Sequence, residues 1–366
     1  MNRIRLGYLL REPNSCVKGV ARFSLFLSVV KLSIFVPFLK KHIPALSVTL
    51  LVTGLLAAAR TAAPFDLLLF DRFLPGLGFV QIAGAAVLDF WLTGKFLDPA
   101  AAPRWRRRTW LLLSAVFFGQ LLLGLTVSPR FLMTGELHFP IPMAIEGGLV
   151  YRGEWRSFMP ILFLSTILLS GPAWCSQLCY MGGCDLNRAQ AGKGFKAFSG
   201  PVGGRWYFRL GSVVLVAVAA WLLRSFGAPG WLVVALVAGW GAAGWSIVAF
   251  VSPRKRQMAH CNLFCPMGAI VSLVKWVNPV RLRFDRSRCT RCMRCARVCP
   301  YAAVTAADLE KGRPAPNCTM CGDCFSACAH GAVEYRFPGL GPSKARTVYL
   351  VIVLTLYVVF LMLARI

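Results

Sequence analysis

Charged residues are scarce in this sequence, and motifs for the common soluble cofactors are absent. Only 15% of the 366 residues are charged, 57% are hydrophobic, and the mean hydropathy is +0.61. This composition excludes an ordinary soluble globular protein. The sequence contains no nucleotide-binding glycine motif, no Walker loop and no C-x-x-C-H haem motif. No apolar core followed by a small-residue cleavage site precedes residue 22, so we expect no cleaved signal peptide.

Apolar stretches that approach the length of a membrane span make up much of the chain. A helix needs about 20 mostly apolar residues to cross a bilayer. Seven spans are predicted at residues 44–59, 74–94, 109–127, 158–173, 207–224, 231–252 and 347–364. A further apolar segment, 23–39, carries Lys31 at its centre, and a lysine is costly in hydrocarbon. We predict that this segment is an interfacial helix within a basic N-terminal region, 1–43.

The excess of basic residues indicates membrane orientation rather than a nucleic-acid partner. The formal net charge is +27, but Lys and Arg are concentrated in residues 1–43, 95–108, 174–206 and 253–346, whereas 60–73 and 128–157 are balanced. By the positive-inside rule, this alternation predicts a multi-pass protein of a bacterial cytoplasmic (inner) membrane, with its N-terminus and cysteine-rich region in the cytoplasm. The remaining basic charge would attract anionic lipid or an acidic redox partner. No nucleic acid is expected.

Eight of the fourteen cysteines occur in two strings that follow the spacing C-x2-C-x2-C-x3-C. In two-cluster bacterial ferredoxins, three cysteines of one string and the fourth of the other bind each cluster. The spacing predicts one [4Fe–4S] cluster on Cys289, Cys292, Cys295 and Cys328, and a second on Cys318, Cys321, Cys324 and Cys299. Structural zinc sites usually use two separated cysteine pairs, which favours iron–sulfur here.

These features predict a polytopic α-helical membrane protein with a small α+β ferredoxin-like domain inserted before the last span. The expected divisions are a six-span membrane domain at 44–252 with a cytoplasmic cysteine loop at 174–206, a ferredoxin-type domain at 253–345, and a final span within 346–366. Cytoplasmic placement suits the cysteines, because thiols and metal clusters persist there and disulfides do not.

Two cysteine pairs with C-x3-C spacing follow the fourth and sixth predicted spans. Cys175 and Cys179 form the first pair, and Cys261 and Cys265 form the second. Because each pair follows a span at the same face of the membrane, the two loops are able to converge. Four thiols there would bind a third cluster or act as redox-active thiols. Nearby Cys184 and His260 are possible extra ligands; buried cysteines without a function are the alternative, and Cys16 is taken as incidental.

Residues 105–305 resemble the NapH/NosR-type membrane ferredoxins. The resemblance is carried by Cys175-Ser-Gln-Leu-Cys179 after a span, by Cys261-Asn-Leu-Phe-Cys265-Pro266 after two more spans, and by the ferredoxin strings that follow. The first pair departs from the family's C-x3-C-P marker, because Tyr180 stands in place of the proline. The resemblance implies electron transfer between the membrane quinone pool and a partner ferredoxin or cytochrome, with the chain as a possible quinol dehydrogenase component.

Quinol oxidation releases protons as well as electrons, so acidic or imidazole side chains near a quinone site are expected. The candidates are Glu136, His138 and Glu146 in the balanced segment 128–157, with Asp89 inside a span as a further ionisable group. Two other classes of function remain open at this point. One is metallocentre assembly by metal reduction, and the other is redox sensing by the C-x3-C pairs.

Overall fold

The computed structural model describes residues 42–132, 158–190 and 202–363. Its α-helices are His42–Ala62, Leu69–Phe73, Gly78–Leu97, Ala102–Thr126, Phe158–Ser170, Tyr180–Ala189, Val202–Ser225, Gly230–Ser246, Ser252–Lys255, Pro266–Val274, Arg294–Arg297, Ala306–Glu310, Asp323–Ala327 and Pro342–Leu363. Short 3₁₀ helices cover Pro129–Phe131 and Gly171–Ala173, and π-helical turns cover Trp174–Leu178, Ile247–Val251 and His260–Phe264. The predicted interfacial helix at 23–39 lies outside the described residues.

Within the described residues, seven helical stretches are long and apolar enough to span a membrane, as the sequence predicts. They are His42–Ala62, Gly78–Leu97, Ala102–Thr126, Ile161–Leu178, Tyr207–Ser225, Gly230–Lys255 and Pro342–Leu363, and we number them as the first to seventh spans. The fourth and seventh are the most buried, at 61% and 50% of their apolar windows, whereas the fifth and sixth reach only 11%. The fourth and seventh spans therefore form the centre of the bundle, and the fifth and sixth present apolar side chains outward for lipid.

Three spans begin four or more residues from the predicted position: the second, the third, and the seventh, which begins at Pro342 rather than at residue 347. The second begins at Gly78 rather than at residue 74, because a turn with Gly76 at φ +89° separates it from the preceding short helix. The third begins at Ala102, seven residues before the predicted start, and so includes basic residues of the segment 95–108 that the prediction leaves between spans. Arg106 of that segment is 1% exposed, since it pairs with Asp323 in the following ferredoxin-type region.

A two-stranded antiparallel sheet forms the base of the cysteine-rich region. Strand β1, Arg281–Phe284, pairs with strand β2, Val333–Arg336, with Leu282 opposite Tyr335 and Phe284 opposite Val333. Alternation along β1 buries Leu282 and Phe284 and turns Arg281 and Arg283 to the other face. The short helices between the strands carry the cysteine strings, so the region is α+β as predicted.

The cysteine-rich region is fixed to the membrane helices by buried polar contacts. Nε and Nη2 of Arg106 in the third span bind the Asp323 carboxylate at 3.1 and 2.7 Å. From the seventh span, the Tyr349 hydroxyl donates to the Met320 carbonyl at 2.7 Å. Because a buried charge must be paired, these contacts fix the orientation of the region relative to the helices.

Candidate iron–sulfur sites

The two cysteine strings adopt the same backbone conformation at a constant offset of 29 residues. Left-handed residues recur at equivalent positions: Arg291 (φ 57°) and Met320 (φ 53°), Met293 (φ 58°) and Gly322 (φ 87°), Ala302 (φ 45°) and Gly331 (φ 60°). Four of these six are not glycine, and left-handed backbone is unfavourable for such residues. The repeated turns curl each string so that its first three cysteines face a common centre.

Two cavities lie within these strings, and each is bordered by four cysteines. The outer cluster cavity is bordered by Cys289, Cys292, Cys295 and Cys328. The inner cluster cavity is bordered by Cys299, Cys318, Cys321 and Cys324. In both, three thiols come from one string and the fourth comes from the other. The structure therefore brings together the same two sets that the spacing predicts.

The thiols of both cavities have surroundings that suit bound iron. Backbone N–H groups of Ala303 and Ala332 point at the sulfurs of Cys299 and Cys328, each at 3.3 Å. Burial raises the pKa of the Cys299 thiol to about 12, with Cys318 adding to the effect. Such a thiol stays neutral unless a metal takes up its charge. Converging thiols with N–H donors at sulfur fit a [4Fe–4S] cluster in each cavity.

A third cavity, the juxtamembrane cavity, contains both C-x3-C pairs. Cys175, Cys179, Cys261 and Cys265 all border it. Burial is the largest cause that raises the pKa of the Cys261 thiol well above its usual value, and the other three thiols add to it. The four thiols thus border one cavity, although the two pairs lie 86 residues apart in the sequence. This arrangement also offers four thiols to one metal centre.

The two C-x3-C loops have the same local structure. Each is a π-helical turn, Trp174–Leu178 or His260–Phe264, closed by a bond from the amide of the second cysteine to the carbonyl five residues earlier, at 3.0 Å in both. That cysteine then caps an α-helix. The first position of the second helix is Pro266, and Tyr180 occupies it in the first. Proline is favoured but not required there, because the first N–H of a helix has no partner within the helix.

Polar side chains hold the two loops together. Asp185, from the helix after the first loop, accepts from the Cys261 amide at 3.0 Å and from the Ser252 hydroxyl at 2.5 Å. Arg209 of the fifth span is 3% exposed and borders the cavity, where its positive charge faces Cys175. Cys184 lies outside this cavity. A buried cation beside buried thiols favours thiolates, which are the ligand form of cysteine.

The other end of the juxtamembrane cavity is aromatic. Phe118, Trp240, Trp245 and Phe264 border it, together with Gly241 and Gly244 of the sixth span. His260, which precedes Cys261, also borders the cavity; its ring centroid lies 5.6 Å from that of Phe264, and its Nδ1 is buried without a hydrogen-bond partner. Burial lowers the pKa of His260 to about 4, so its ring is neutral and offers one donor and one acceptor. Trp245 is 40% exposed on the outer surface of the bundle.

Tyr301 separates the juxtamembrane cavity from the inner cluster cavity and borders both. Its hydroxyl donates to the Cys175 carbonyl at 2.9 Å. The Ser176 hydroxyl makes a second link, since it donates to the Thr319 carbonyl at 3.1 Å. The first C-x3-C loop is thereby joined directly to the second cysteine string, and the two cavities share a wall.

The remaining predicted residues are placed as follows. Glu136, His138, Glu146 and Cys16 lie outside the described residues. Asp89 is fully buried between the first and second spans, where it accepts from the Thr49 hydroxyl at 2.5 Å. Sequence reasoning missed Arg106, Asp185 and Arg209. Arg209 alone carried a usable signal, because it is an arginine inside a predicted span.

Residues 281–329 match the family of 4Fe–4S dicluster domains. Together with the seven spans, this match defines the class: the protein is a multi-pass membrane protein of the ferredoxin type, and such iron–sulfur proteins serve in electron transport.

Within that class, the chain is similar to the ferredoxin-type protein NapH of Haemophilus influenzae, with 29% identity over 30% of this chain and 37% of the relative. It is also similar to the putative electron transport protein YccM of Escherichia coli, at 31% identity over 19% of each chain. An uncharacterized protein of Methanocaldococcus jannaschii is 27% identical over 21% of this chain and 30% of its own length. The matched segments thus cover little more than a third of these relatives at most. The resemblance to NapH-type membrane ferredoxins is confirmed. No solved structure matches the chain significantly.

Proposed function

We propose that this protein transfers electrons between the membrane quinone pool and a partner ferredoxin or cytochrome. The observation that carries the proposal is the order of the three cysteine-bordered cavities. The juxtamembrane cavity is bordered by aromatic residues, among them the exposed Trp245, and it shares Tyr301 with the inner cluster cavity. The outer cluster cavity includes Cys292, which is exposed. A path from lipid to protein surface is what a quinone-linked carrier requires. The relatives named as ferredoxin-type and electron transport proteins support the same function.

We assign one cluster to each cavity of the ferredoxin strings and a third to the C-x3-C cysteines. The ligands are Cys289, Cys292, Cys295 and Cys328 for the first cluster, Cys318, Cys321, Cys324 and Cys299 for the second, and Cys175, Cys179, Cys261 and Cys265 for the third. Bound clusters supply one-electron steps. The chain contributes N–H groups that stabilise the ligand sulfurs, and Arg209, whose charge offsets the thiolates of the third site.

Iron and sulfide analysis tests the number of clusters. We expect about twelve iron atoms per wild-type chain, four for each [4Fe–4S] cluster. The Cys261→Ser/Cys265→Ser variant should keep about eight, because serine oxygen is a poor ligand for such a cluster. Cys184→Ser is the control and should keep all twelve, since this thiol lies outside the three cavities. Eight irons in the wild-type protein would exclude a third cluster.

The aromatic end of the juxtamembrane cavity is our proposed site for the quinone headgroup. Its rings offer an apolar, stacking surface, and His260 offers a hydrogen bond to a quinone oxygen from a position next to Cys261. Gly241 and Gly244 of the sixth span have no side chains to occupy this part of the cavity. Oxidation of a quinol there would release two electrons and two protons; clusters held by the cysteines would supply one-electron acceptors, and the protons would leave to water.

Filling this cavity should block the quinone reaction. A Cβ at Gly244 would lie 3.1 Å from Nε2 of His260 and 3.4 Å from Cε1 of Phe264, whereas one at Gly239 of the same helix meets nothing within 4 Å. We therefore expect Gly244→Leu to slow quinol-driven cluster reduction by about tenfold or more, equal to about 1.4 kcal/mol of lost binding. Gly239→Leu should leave it unchanged. The measurement is the EPR signal of the reduced clusters after addition of a short-chain quinol. Dithionite is the control, because it should reduce the clusters without binding in the cavity. Equal rates in both variants would place the quinone elsewhere.

We further propose that the cysteine-rich region faces the cytoplasm of a bacterial inner membrane. The support is the alternation of basic and balanced connections, including sixteen Lys and Arg in residues 253–346. A single added cysteine at Ser343 should react with membrane-impermeant maleimide only in inverted vesicles, and one at Ile366 only in intact spheroplasts. Labelling of both from the same side would contradict a seventh span that crosses the membrane.

A further inference from the structure

A basic cavity of about 390 Å³ lies apart from the three cysteine-bordered cavities. It is enclosed by the end of the Pro266–Val274 helix, by β1 and by the turn around Gly312. The cationic side chains that border it are Lys275, Arg281, Arg283, Lys311 and Arg313. Arg281 and Arg283 share one face of β1, so both guanidinium groups point toward this space.

The positive charge of this basic cavity is not balanced by the protein. Within the described part of the chain, none of the five cations forms a salt bridge. Asp308 is the one acidic residue at the wall, and its Oδ2 already accepts from the Thr305 amide at 2.9 Å and from the Thr305 hydroxyl at 2.6 Å. Like charges gathered without a counterion are unfavourable, and a bound anion would remove that cost.

The basic cavity lies beside the membrane-spanning helices. Next to it, the Asn278 amide group donates to the carbonyls of Leu168 and Leu169, which belong to the fourth span. Trp276 and Val277 are 73% and 72% exposed although they are apolar. Exposed tryptophan beside basic residues is typical of the zone where lipid headgroups meet the acyl chains. Nη2 of Arg281 donates to the Trp276 carbonyl at 2.8 Å, so this cation is held against the backbone of the exposed segment.

We infer that the basic cavity binds the phosphate headgroup of an anionic phospholipid, with its acyl chains lying along Trp276 and Val277. Guanidinium pairs suit phosphate because they bind two oxygens at once. A lipid is favoured over an acidic protein, because the charges line a concave space whose rim is apolar and at membrane level. The lipid would hold the ferredoxin-type region against the bilayer beside the second cluster, since Nζ of Lys275 lies 3.5 Å from the Cys318 carbonyl. This inference does not depend on the quinone proposal.

Native mass spectrometry of the full-length protein tests the inference, with phosphatidylglycerol, phosphatidylcholine and inorganic phosphate as separate additions. The wild-type protein should retain one phosphatidylglycerol in preference to phosphatidylcholine. Arg281→Gln/Arg283→Gln should weaken that binding by about tenfold or more, in line with the loss of two charge-assisted contacts. Arg281→Lys/Arg283→Lys should keep most of it. The matched control is Arg254→Gln/Lys255→Gln, which removes two exposed cations at the end of the sixth span and should bind lipid as the wild type does.

Several results would overturn the inference. Displacement of the lipid by millimolar inorganic phosphate would make a soluble anion the ligand. Equal loss of lipid in the cavity and control variants would indicate general surface charge. Normal lipid binding by Arg281→Gln/Arg283→Gln, with slower electron transfer to an acidic acceptor protein, would make the cavity a protein-docking site. Iron content and melting temperature are the controls for folding: values equal to those of the wild type in each variant would exclude misfolding as the cause of lost binding.

Discussion

In the Cys261→Ser/Cys265→Ser double variant, we expect quinol-driven reduction of the ferredoxin clusters to fall by at least about 100-fold. Changes to outer contacts of metal sites alone cost roughly 10- to 100-fold, so loss of two ligands should cost at least as much. The expected effect follows from the position of these thiols, because they border the same cavity as the aromatic residues and as Tyr301, which also borders the inner cluster cavity. An electron that leaves a quinol in that cavity has to pass them before it reaches the inner cluster cavity.

Dithionite provides the matching control, since it should reduce both ferredoxin clusters in the double variant to the wild-type extent. Cys321→Ser should behave differently, because it removes a ligand of the second cluster and should change the EPR spectrum even with dithionite. Wild-type quinol-driven reduction in the double variant, with both ferredoxin clusters intact, would mean that the C-x3-C cysteines are structural and that the electron path lies elsewhere.

Replacement of Arg106 should have the largest effect on stability. Arg106 and Asp323 are both almost fully buried and pair at 2.7 Å, and Arg106 also donates to the Ser176 carbonyl at 3.3 Å. Arg106→Gln would leave the Asp323 carboxylate buried without its cation, which typically costs about 3–5 kcal/mol. We expect a lower melting temperature of the purified protein and faster tryptic cleavage between the sixth and seventh spans.

Two further variants distinguish the loss of the buried ion pair from the loss of one positive charge at the helix surface. Arg104→Gln, two residues earlier on the same helix and exposed, should change stability by less than about 0.5 kcal/mol. Arg106→Met/Asp323→Leu removes both charges, so it should recover much of the lost stability, as apolar replacements of buried ion pairs often do. A double variant as unstable as Arg106→Gln would assign the effect to packing or to the Ser176 contact instead.

The parts of the structure that follow from local sequence were predictable. Spans depend on the summed hydropathy of about 20 consecutive residues, so their number was read correctly. The pairing of Cys328 with the first string, and of Cys299 with the second, follows from spacing because the 29-residue repeat imposes the same loop twice. The two loops around Cys175 and Cys261 share the C-x3-C spacing, and both form the same kind of turn, a π-helical one.

The contacts that depend on tertiary structure were not predictable. Arg106 stands in a basic run that reads as a cytoplasmic loop, and nothing near it in sequence reveals that Asp323 lies 217 positions away as its partner. Asp185 likewise looks like an ordinary loop carboxylate, although it holds the Cys261 amide of another loop. The aromatic end of the juxtamembrane cavity comes from rings on separate helices, so no motif marks it.

The division of the juxtamembrane thiols between two distant loops has a consequence for biosynthesis. Cys175 leaves the ribosome 86 residues before Cys261, which corresponds to roughly 4 to 17 seconds at the usual rates of translation. During that interval Asp185 lacks both the Ser252 hydroxyl and the Cys261 amide, its later partners. The first thiol pair therefore has to wait, reduced and without its partner pair, until the fifth and sixth spans have been inserted. Maturation of this site is a late, post-insertion event, and it depends on a cell that keeps nascent thiols reduced.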